Sequence, residues 1–192
     1  AILEHIDKAQ KNDQIKGVLL YVDSPGGALA PSIELSMAIK RLHEKKPVVA
    51  YAAGSMTSGS YYASIWSDHI MANPGAFIGS IGVLFQAPNV AELAKKLGIS
   101  EQIITAGEYK QMGTFTREWT SKEKGALREL IDDAYGLFIH DVASARKLDI
   151  NNSNEFANAR VFIAQRALGV KLIDTIGSIS EAKAKVVELA NV

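Results

Sequence analysis

One long stretch of this chain carries almost no charge, and that limits what the chain can fold into. Between Lys46 and Glu92 the only formally charged residue is Asp68, with His69 beside it. Proteins rarely bury charged residues, so a stretch without them is expected to form the interior. Prolines and glycines interrupt it before about 20 helical apolar residues accumulate, so the pattern does not predict a membrane span.

The stretch belongs to a strand, helix, strand pattern that begins earlier in the chain. Apolar β-type runs at residues 17–23 and 48–51 flank a helical pattern at residues 31–45. A helix from Tyr61 then leads to a third strand at residues 70–72. Right-handed crossovers between parallel strands fit this order. We therefore predict an α/β fold with a mainly parallel sheet.

The remaining pattern predicts a single domain of 192 residues, with a core at 1–150 and a C-terminal helical segment at 151–192 for packing or assembly. Two capping-box sequences, Thr120 with Glu123 and Ser178 with Glu181, mark helix starts. Further strands are expected at residues 77–85, 102–105, 160–163 and 170–173, further helices at residues 90–97, from 120 to about 148 and up to 169, and a polar linker at 151–158.

Composition excludes several kinds of partner and chemistry. Lys plus Arg and Asp plus Glu both number 21, so no net charge points to nucleic acid or to an anionic membrane surface. Cysteine is absent, which removes disulfides, thiolate metal sites and cysteine nucleophiles. The chain opens directly in a helical pattern without Met or a leader, and we expect an N-terminally trimmed piece whose missing part includes a membrane anchor.

Two glycine-rich corners follow the carboxyl ends of predicted parallel strands, where ligands of open α/β sheets usually bind. The corner at residues 53–62 places Ser58 before a helix whose free N–H groups favour developing negative charge. The other corner, residues 24–27, reads Ser-Pro-Gly-Gly and is either a plain turn or half of an oxyanion hole. Ser58 is the candidate nucleophile.

A serine nucleophile needs a base. His69 with its neighbour Asp68 resembles part of a Ser-His-Asp set, but both fall at the start of a predicted strand, whereas Ser58 follows the end of one. Lys110, in a loop between two glycines, can serve if its amine is neutral, which requires desolvation. Glu108 works against that, because a close carboxylate keeps an amine charged.

Several motifs together resemble one peptidase family. They are, from the N-terminus, Ser24-Pro25-Gly26-Gly27, the corner from Gly54 to Tyr62, Gly79-Ser80-Ile81-Gly82-Val83, Tyr109-Lys110 followed by Arg117 to Thr120, and the segment from Arg160 to Asp174. This combination resembles the signal peptide peptidase A family, the S49 or protease IV type of serine peptidases, along nearly the whole chain.

The resemblance implies a Ser/Lys dyad, with Ser58 as nucleophile and Lys110 as general base. It implies that the Ser80 hydroxyl bonds the lysine amine and helps to position it. The implied donors of the oxyanion hole are the N–H groups of Gly59, of Gly27 as first choice, and of Gly26. The resemblance implies neither a metal nor another cofactor.

The resemblance also implies a fold, a substrate and a setting. The fold is that of Clp protease and crotonase, with stacked β-α units. Gly79, Ile81, Gly82 and Val83 are expected to bind an extended peptide, because glycine in a strand permits close approach of another backbone. Cleaved signal peptides are the implied substrates. The implied assembly is a ring or dome of identical chains, tethered to the bacterial cell membrane with the catalytic domain outside the cytoplasm.

Two departures from the family pattern stand out. Ser60 stands where many relatives have glycine, and its hydroxyl either narrows the site or competes with Ser58. Residues 157–160 and 164–165 lack glycines common in that late segment. Three alternative interpretations stay open: an inactive family scaffold that binds peptides, a crotonase-like acyl-CoA enzyme, and a membrane-associated Ser/Lys protease of the NfeD N-terminal type that cuts a partner protein.

Overall fold

The computed structural model describes residues 2–192, and it has the predicted α/β architecture. The strands are β1 (Val18–Ser24), β2 (Val48–Thr57), β3 (His69–Ala72), β4 (Phe77–Gly79), β5 (Val161–Ile163) and β6 (Thr175–Ile176). The helices are α1 (Ile2–Lys11), α2 (Leu29–His43), α3 (Gly59–Ser64), α4 (Ala91–Lys96), α5 (Ser121–Arg146), α6 (Ser153–Phe156), α7 (Ala164–Gly169) and α8 (Ile179–Ala190), with a 3₁₀ turn at Ile150–Asn152.

The chain divides into two compact units. The first comprises the described residues up to Gly82 together with Leu137–Val192, and it contains β1 to β6. The second comprises Val83–Gly136 and contains α4 and the first part of α5. The predicted single domain, with its core at 1–150 and its segment at 151–192, stays a prediction.

The sheet of the first unit is built around β2. This strand pairs in parallel with β1, β3 and β4, while β3 pairs in parallel with β6 and β4 pairs antiparallel with β5. The helices α2 and α3 therefore join parallel strands, as predicted. Both glycine-rich corners begin where β1 and β2 end, so they emerge at the same edge of the sheet.

Both faces of β2 are covered, which explains its uninterrupted apolar sequence. Successive side chains of a strand point to opposite faces. Ala50 and Ala52 lie in the main core beneath α3, and Val49 and Tyr51 lie in a second cluster with Ala182 of α8. The charge-poor stretch is buried here as predicted.

Two of the predicted strands are wrong. Residues 102–105 form no strand, and Ile103 and Ile104 are exposed without a paired neighbour. Residues 170–173 form a turn after α7, and the strand lies instead at β6. Both segments have a β-type composition, but neither has a neighbouring strand to pair with. Because strands are stabilised by pairing, neither segment forms one.

Two other boundaries also differ from prediction. The strand expected at residues 77–85 ends at Gly79, which has a φ of +103°. The polar linker expected at residues 151–158 is instead folded, because Phe156 and Ala157 are buried in the main core. Here two apolar side chains decide the conformation of an otherwise polar segment.

The second unit is organised by the start of α5. Arg117 donates hydrogen bonds of 2.7 and 2.9 Å to Glu123, and Glu123 forms the predicted capping box with Thr120. The Trp119 ring packs against Phe85, with centroids 5.7 Å apart. The hydrogen bonds from Arg117 and from the Thr120 backbone lower the pKa of Glu123 to about 2. No helix within residues 2–192 is long and apolar enough to cross a bilayer.

Candidate active site

Ser58 occupies a sharp corner between β2 and α3. Its backbone has φ of 53° and ψ of −125°, a conformation that L-residues other than glycine rarely adopt. Such strain costs on the order of 1–3 kcal/mol and persists only where surrounding contacts impose it. The Ser58 N–H donates to Gly79 O at 2.7 Å, and the Ser58 carbonyl accepts from Tyr62 N at 2.9 Å. The side chain makes no capping hydrogen bond to the helix, so its hydroxyl is not engaged with the N-terminus of α3.

The Pro25-Gly26-Gly27 turn lies directly against this corner. Gly26 has a φ of +110°, and a Cβ on it would meet Ser58 Cβ and Gly59 N, each at 2.8 Å. A Cβ on Gly59 would collide with Ser32 Oγ and would lie 3.1 Å from Gly27 N. A side chain at Gly26 would collide with the backbone of the corner, and one at Gly59 would collide with the Ser32 side chain and crowd Gly27 N, so the two segments are in direct contact.

The same contact brings two unused amides together. Within residues 2–192, neither the Gly27 N–H nor the Gly59 N–H donates to a protein acceptor. Gly59 is the first residue of α3, where helical geometry supplies no acceptor for the N–H. Paired, unsatisfied N–H groups beside a serine hydroxyl are what stabilisation of a tetrahedral oxyanion requires.

Ser80 lies beside Ser58 at the ends of two paired strands. Thr57 of β2 pairs with Gly79 of β4, and each serine is the next residue along its strand. Ser80 also has a positive φ, 51°, and its N–H donates to Arg160 O at 2.8 Å. The first unit therefore brings together the predicted nucleophile, the Gly27 and Gly59 amides and the predicted positioning serine. The N–H of Gly26, also a predicted donor, instead donates to Ser24 Oγ at 3.2 Å.

The predicted peptide-binding residues continue from this point. Gly79 and Ile81 are buried, and the carbonyl of Ile81 accepts from Ala159 N at 3.0 Å. Gly82 packs against Ala159, and a Cβ on Gly82 would lie 2.7 Å from the Ala159 Cβ. Val83 is the first residue of the second unit. One backbone edge of residues 80–82 is therefore hydrogen-bonded to residues 159–160. On the other edge the pairing with β2 ends at Thr57 and Gly79, before these residues.

Lys110 belongs to the second unit. It is exposed, in a turn in which its N–H donates to Gly107 O at 3.3 Å. The carboxylate of Glu108, expected to oppose a neutral lysine, is paired with Lys122 at 2.6 Å. The Glu108 carboxylate is thus directed to another ammonium group. Within its own unit, however, the exposed Lys110 side chain lacks the desolvation that a neutral amine requires.

The histidine alternative does not fit the geometry. His69 pairs with Val49 near the start of β2, nine residues before Ser58, which is roughly 30 Å of extended chain at about 3.3 Å per residue. Its Nε2 lies 2.7 Å from Thr175 Oγ1, and burial lowers its pKa. Asp68 contacts His43 instead. His69 and Asp68 therefore do not form a Ser-His-Asp set with Ser58.

An apolar cavity of about 540 Å³ borders the glycine turn. Gly26, Gly27 and Gly59 line part of it, and the remaining lining includes apolar side chains of β1, α2 and α3, among them Leu19, Val22, Leu35 and Ala63. The cavity has room for an apolar side chain next to the two amides. Within residues 2–192, no group of three or more His, Asp or Glu side chains is arranged to hold a metal ion.

Sequence reasoning missed one residue that fixes this corner, Asp23, and did not predict the hydrogen bonds of another, Ser60. Asp23, at the end of β1, accepts from Ser55 N at 2.9 Å. The Ser60 hydroxyl, expected to narrow the site or compete with Ser58, accepts from Thr57 N at 2.9 Å and donates to Ser24 O at 2.7 Å. The only sequence signal for these links is that both side chains are polar in an otherwise uncharged corner.

Comparison with known proteins gives a family match. The profile of peptidase family S49 matches residues 40–192. A protein of Methanocaldococcus jannaschii named as a candidate protease is 39% identical over 97% of this chain and 60% of its own length. A protein of Enterococcus faecium named as a candidate signal peptide peptidase is 33% identical over 94% of this chain and 53% of its own length. The chain thus spans about three fifths or less of these relatives.

Two solved structures have the same fold. One is a mutant of 1510-N, a membrane-bound stomatin-specific protease, with a TM-score of 0.64 at 17% identity over 96% of this chain and 77% of that one. The other is a mutant of ClpP1 from Listeria monocytogenes, with a TM-score of 0.60 at 12% identity over 94% of this chain and 86% of that one. These likenesses confirm the predicted Clp-protease-like fold.

Proposed function

Because this chain belongs to peptidase family S49, we propose that it is a serine endopeptidase with Ser58 as nucleophile and Lys110 as general base. The observation that carries the proposal is the strained corner, where Ser58 has a φ of 53° and lies beside two amides without acceptors. A strained serine next to preorganised N–H donors is typical of acyl-transfer sites.

The reaction proceeds through an acyl-enzyme. Lys110, as the general base, takes the hydroxyl proton as Ser58 Oγ bonds to the scissile carbonyl carbon, and the carbonyl π electrons move to the oxygen. The Gly27 and Gly59 N–H groups stabilise that oxyanion, and each such donor contributes about 3 kcal/mol in comparable enzymes. Collapse breaks the C–N bond, and Lys110 returns its proton to the leaving amine. Water, activated by Lys110, then hydrolyses the ester.

The substrate binds as an extended peptide along residues 79–83. β2 ends at Thr57, so the backbone of Ser80 to Gly82 has one edge without a strand partner from β2. A peptide can add to such an edge by backbone hydrogen bonds. Ile81 is buried, so it contributes through its backbone. The cavity beside Gly27 would take an apolar side chain of the substrate.

The biological substrates in this proposal are cleaved signal peptides, degraded by a ring or dome of identical chains held at a membrane. The name of the Enterococcus faecium relative supports the substrate. The apolar lining of the cavity fits the apolar core of such peptides. The assembly is supported by the likeness to ClpP1.

Two variants test the chemistry. Ser58→Ala and Lys110→Ala are each expected to lower the hydrolysis rate of an apolar fluorogenic peptide by at least about 10³-fold, since each removes a group that acts in both steps. Ser36→Ala, at a buried serine of α2, and Lys96→Ala, at an exposed lysine of α4, are the matched controls and keep the wild-type rate. Near-normal turnover in Lys110→Ala would show that the base is another group. A wild-type protein without activity would favour the peptide-binding scaffold.

A further inference from the structure

The Ser60 hydroxyl joins the two backbone segments that carry the unused amides. Its Oγ accepts a hydrogen bond from Thr57 N at 2.9 Å and donates to Ser24 O at 2.7 Å, with Thr57 O a second acceptor at 2.9 Å. Ser24 ends β1 and precedes the Gly26-Gly27 turn, and Thr57 ends β2 and precedes Ser58. One hydroxyl is therefore hydrogen-bonded both to Ser24, which precedes the glycine turn, and to Thr57, which precedes Ser58.

The regular part of the β1–β2 ladder ends before these two segments, which are paired again only at Ser24 and Met56. β1 and β2 pair regularly only from Val18 and Val48 to Val22 and Ala52. The register then shifts, so that Ser24 lies opposite Met56. Across the irregularity the regular ladder no longer fixes how the end of β1 lies against the end of β2. The Ser60 hydrogen bonds supply a link at this point.

We propose that Ser60 is a positioning residue for the oxyanion hole, an inference that rests on the proposed function. By bonding the Ser24 carbonyl and the Thr57 amide, Ser60 holds the Gly27 and Gly59 N–H groups at the separation that a tetrahedral oxyanion needs. Its single proton is donated to a carbonyl, so the hydroxyl does not compete with Ser58.

The role predicts a specific kinetic pattern. Ser60→Ala is expected to lower kcat about 10- to 100-fold while KM changes less than about threefold, because misplaced donors weaken transition-state binding more than substrate binding. Affinity for a peptide aldehyde, whose Ser58 adduct places an oxygen in the same hole, falls by the same factor as kcat. Ser60→Thr keeps the hydroxyl and stays within about threefold of the wild-type kcat.

The controls separate positioning from general stability. Ser36→Ala removes a buried hydroxyl elsewhere in the first unit and leaves kcat unchanged. If Ser60→Ala does not fold, Ser60→Cys, with a weaker donor and acceptor, is expected to lower kcat at least about fivefold. A folded Ser60→Ala or Ser60→Cys with wild-type kcat and aldehyde affinity overturns the inference. An inactive wild-type protein instead overturns the proposed function on which it rests.

Discussion

Ser58 and Ser80 both hold backbone angles that serine rarely adopts, with φ of 53° and 51°. Each is the residue after a paired strand position, and each is held by a backbone hydrogen bond to a neighbouring segment. Strain of this kind lowers stability and is retained where it orients a functional side chain. At the scale of single residues, the site therefore depends on backbone conformations of Ser58 and Ser80 that neighbouring segments impose.

Ser80 offers a direct test of that strain. Ser80→Gly is expected to raise the free energy of unfolding by about 0.5–1 kcal/mol, because glycine adopts positive φ without the steric cost. The same change is expected to lower peptide hydrolysis, since it removes the hydroxyl that is proposed to position Lys110. Chemical denaturation and turnover are measured on the same sample. Ser80→Ala is the control, with lost activity and no gain in stability; a Ser80→Gly variant less stable than Ser80→Ala would contradict the strain argument.

The adjacent glycines Gly26 and Gly27 are predicted to differ sharply. Gly26→Ala forces a Cβ to within 2.8 Å of Ser58 Cβ and Gly59 N at a φ of +110°, so the free energy of unfolding falls by about 2 kcal/mol or more. A Cβ on Gly27 meets nothing within 4 Å, and Gly27→Ala changes stability by less than about 0.5 kcal/mol. Thermal unfolding of both variants checks this. Equal destabilisation would mean that the turn does not lie against Ser58.

Most of the helices and strands were predictable, and the exceptions share a cause. The capping boxes predicted the starts of α5 and α8, and apolar runs predicted β1 and β3. Residues 102–105 and 170–173 carry the same local β signal without a neighbour to pair with. The local sequence pattern indicates that a segment is able to form a strand, but whether the strand forms depends on a neighbouring segment with which it can pair.

The candidate site was likewise predictable from the sequence only in part. Its two corners were predictable, because both follow carboxyl ends of parallel strands joined by helices. The positive φ of Ser58 and the Ser60 bond to Ser24 were not, since they depend on contacts between segments 36 residues apart in the chain. The placement of Asp23 against Ser55 N is likewise set by the register of β1 on β2.

The start of α5 should respond to acid. Because Arg117 and Thr120 lower the pKa of Glu123 from 4.5 to about 2, its stabilising effect is full above about pH 4.5 and is lost as the pH falls through about 2. Glu123→Gln is expected to be less stable than wild type at pH 7 and to lose less stability in acid. Urea unfolding at pH 7 and pH 3 measures both. Glu129→Gln, at an exposed position on the same helix, should behave as wild type; the same acid response in Glu123→Gln and wild type would be inconsistent with the assigned cause.

At the scale of the whole molecule, the second unit exposes many large apolar side chains. Leu93 and Leu97 of α4 are 56% and 66% exposed, Ile99 is 59% exposed, and Ile104 is fully exposed. None of the residues of α4 is buried. Concentrations of exposed apolar residues usually mark interaction surfaces. The proposed assembly of identical chains would cover this surface.

Self-association should therefore depend on α4. Leu97→Lys is expected to shift the protein toward monomer by placing a charge in an apolar interface. Sedimentation velocity across a range of concentrations measures the change. Met37→Lys replaces a half-exposed apolar residue of α2 and serves as the control that leaves association unchanged. If both variants associate like wild type, the α4 surface is not the interface.

The central claim is that Ser58 is a nucleophile, and mapping a fluorophosphonate adduct by mass spectrometry tests it most directly. No Lys or Arg lies between Lys46 and Lys95, so trypsin leaves Ser58, Ser60 and Ser80 in one peptide. Chymotryptic digestion, followed by fragmentation of the peptide that ends at Tyr61, resolves the site. The account predicts one adduct on Ser58, absent in Ser58→Ala and strongly slowed in Lys110→Ala. An adduct on Ser60 or Ser80, or none on the active wild-type protein, would contradict it.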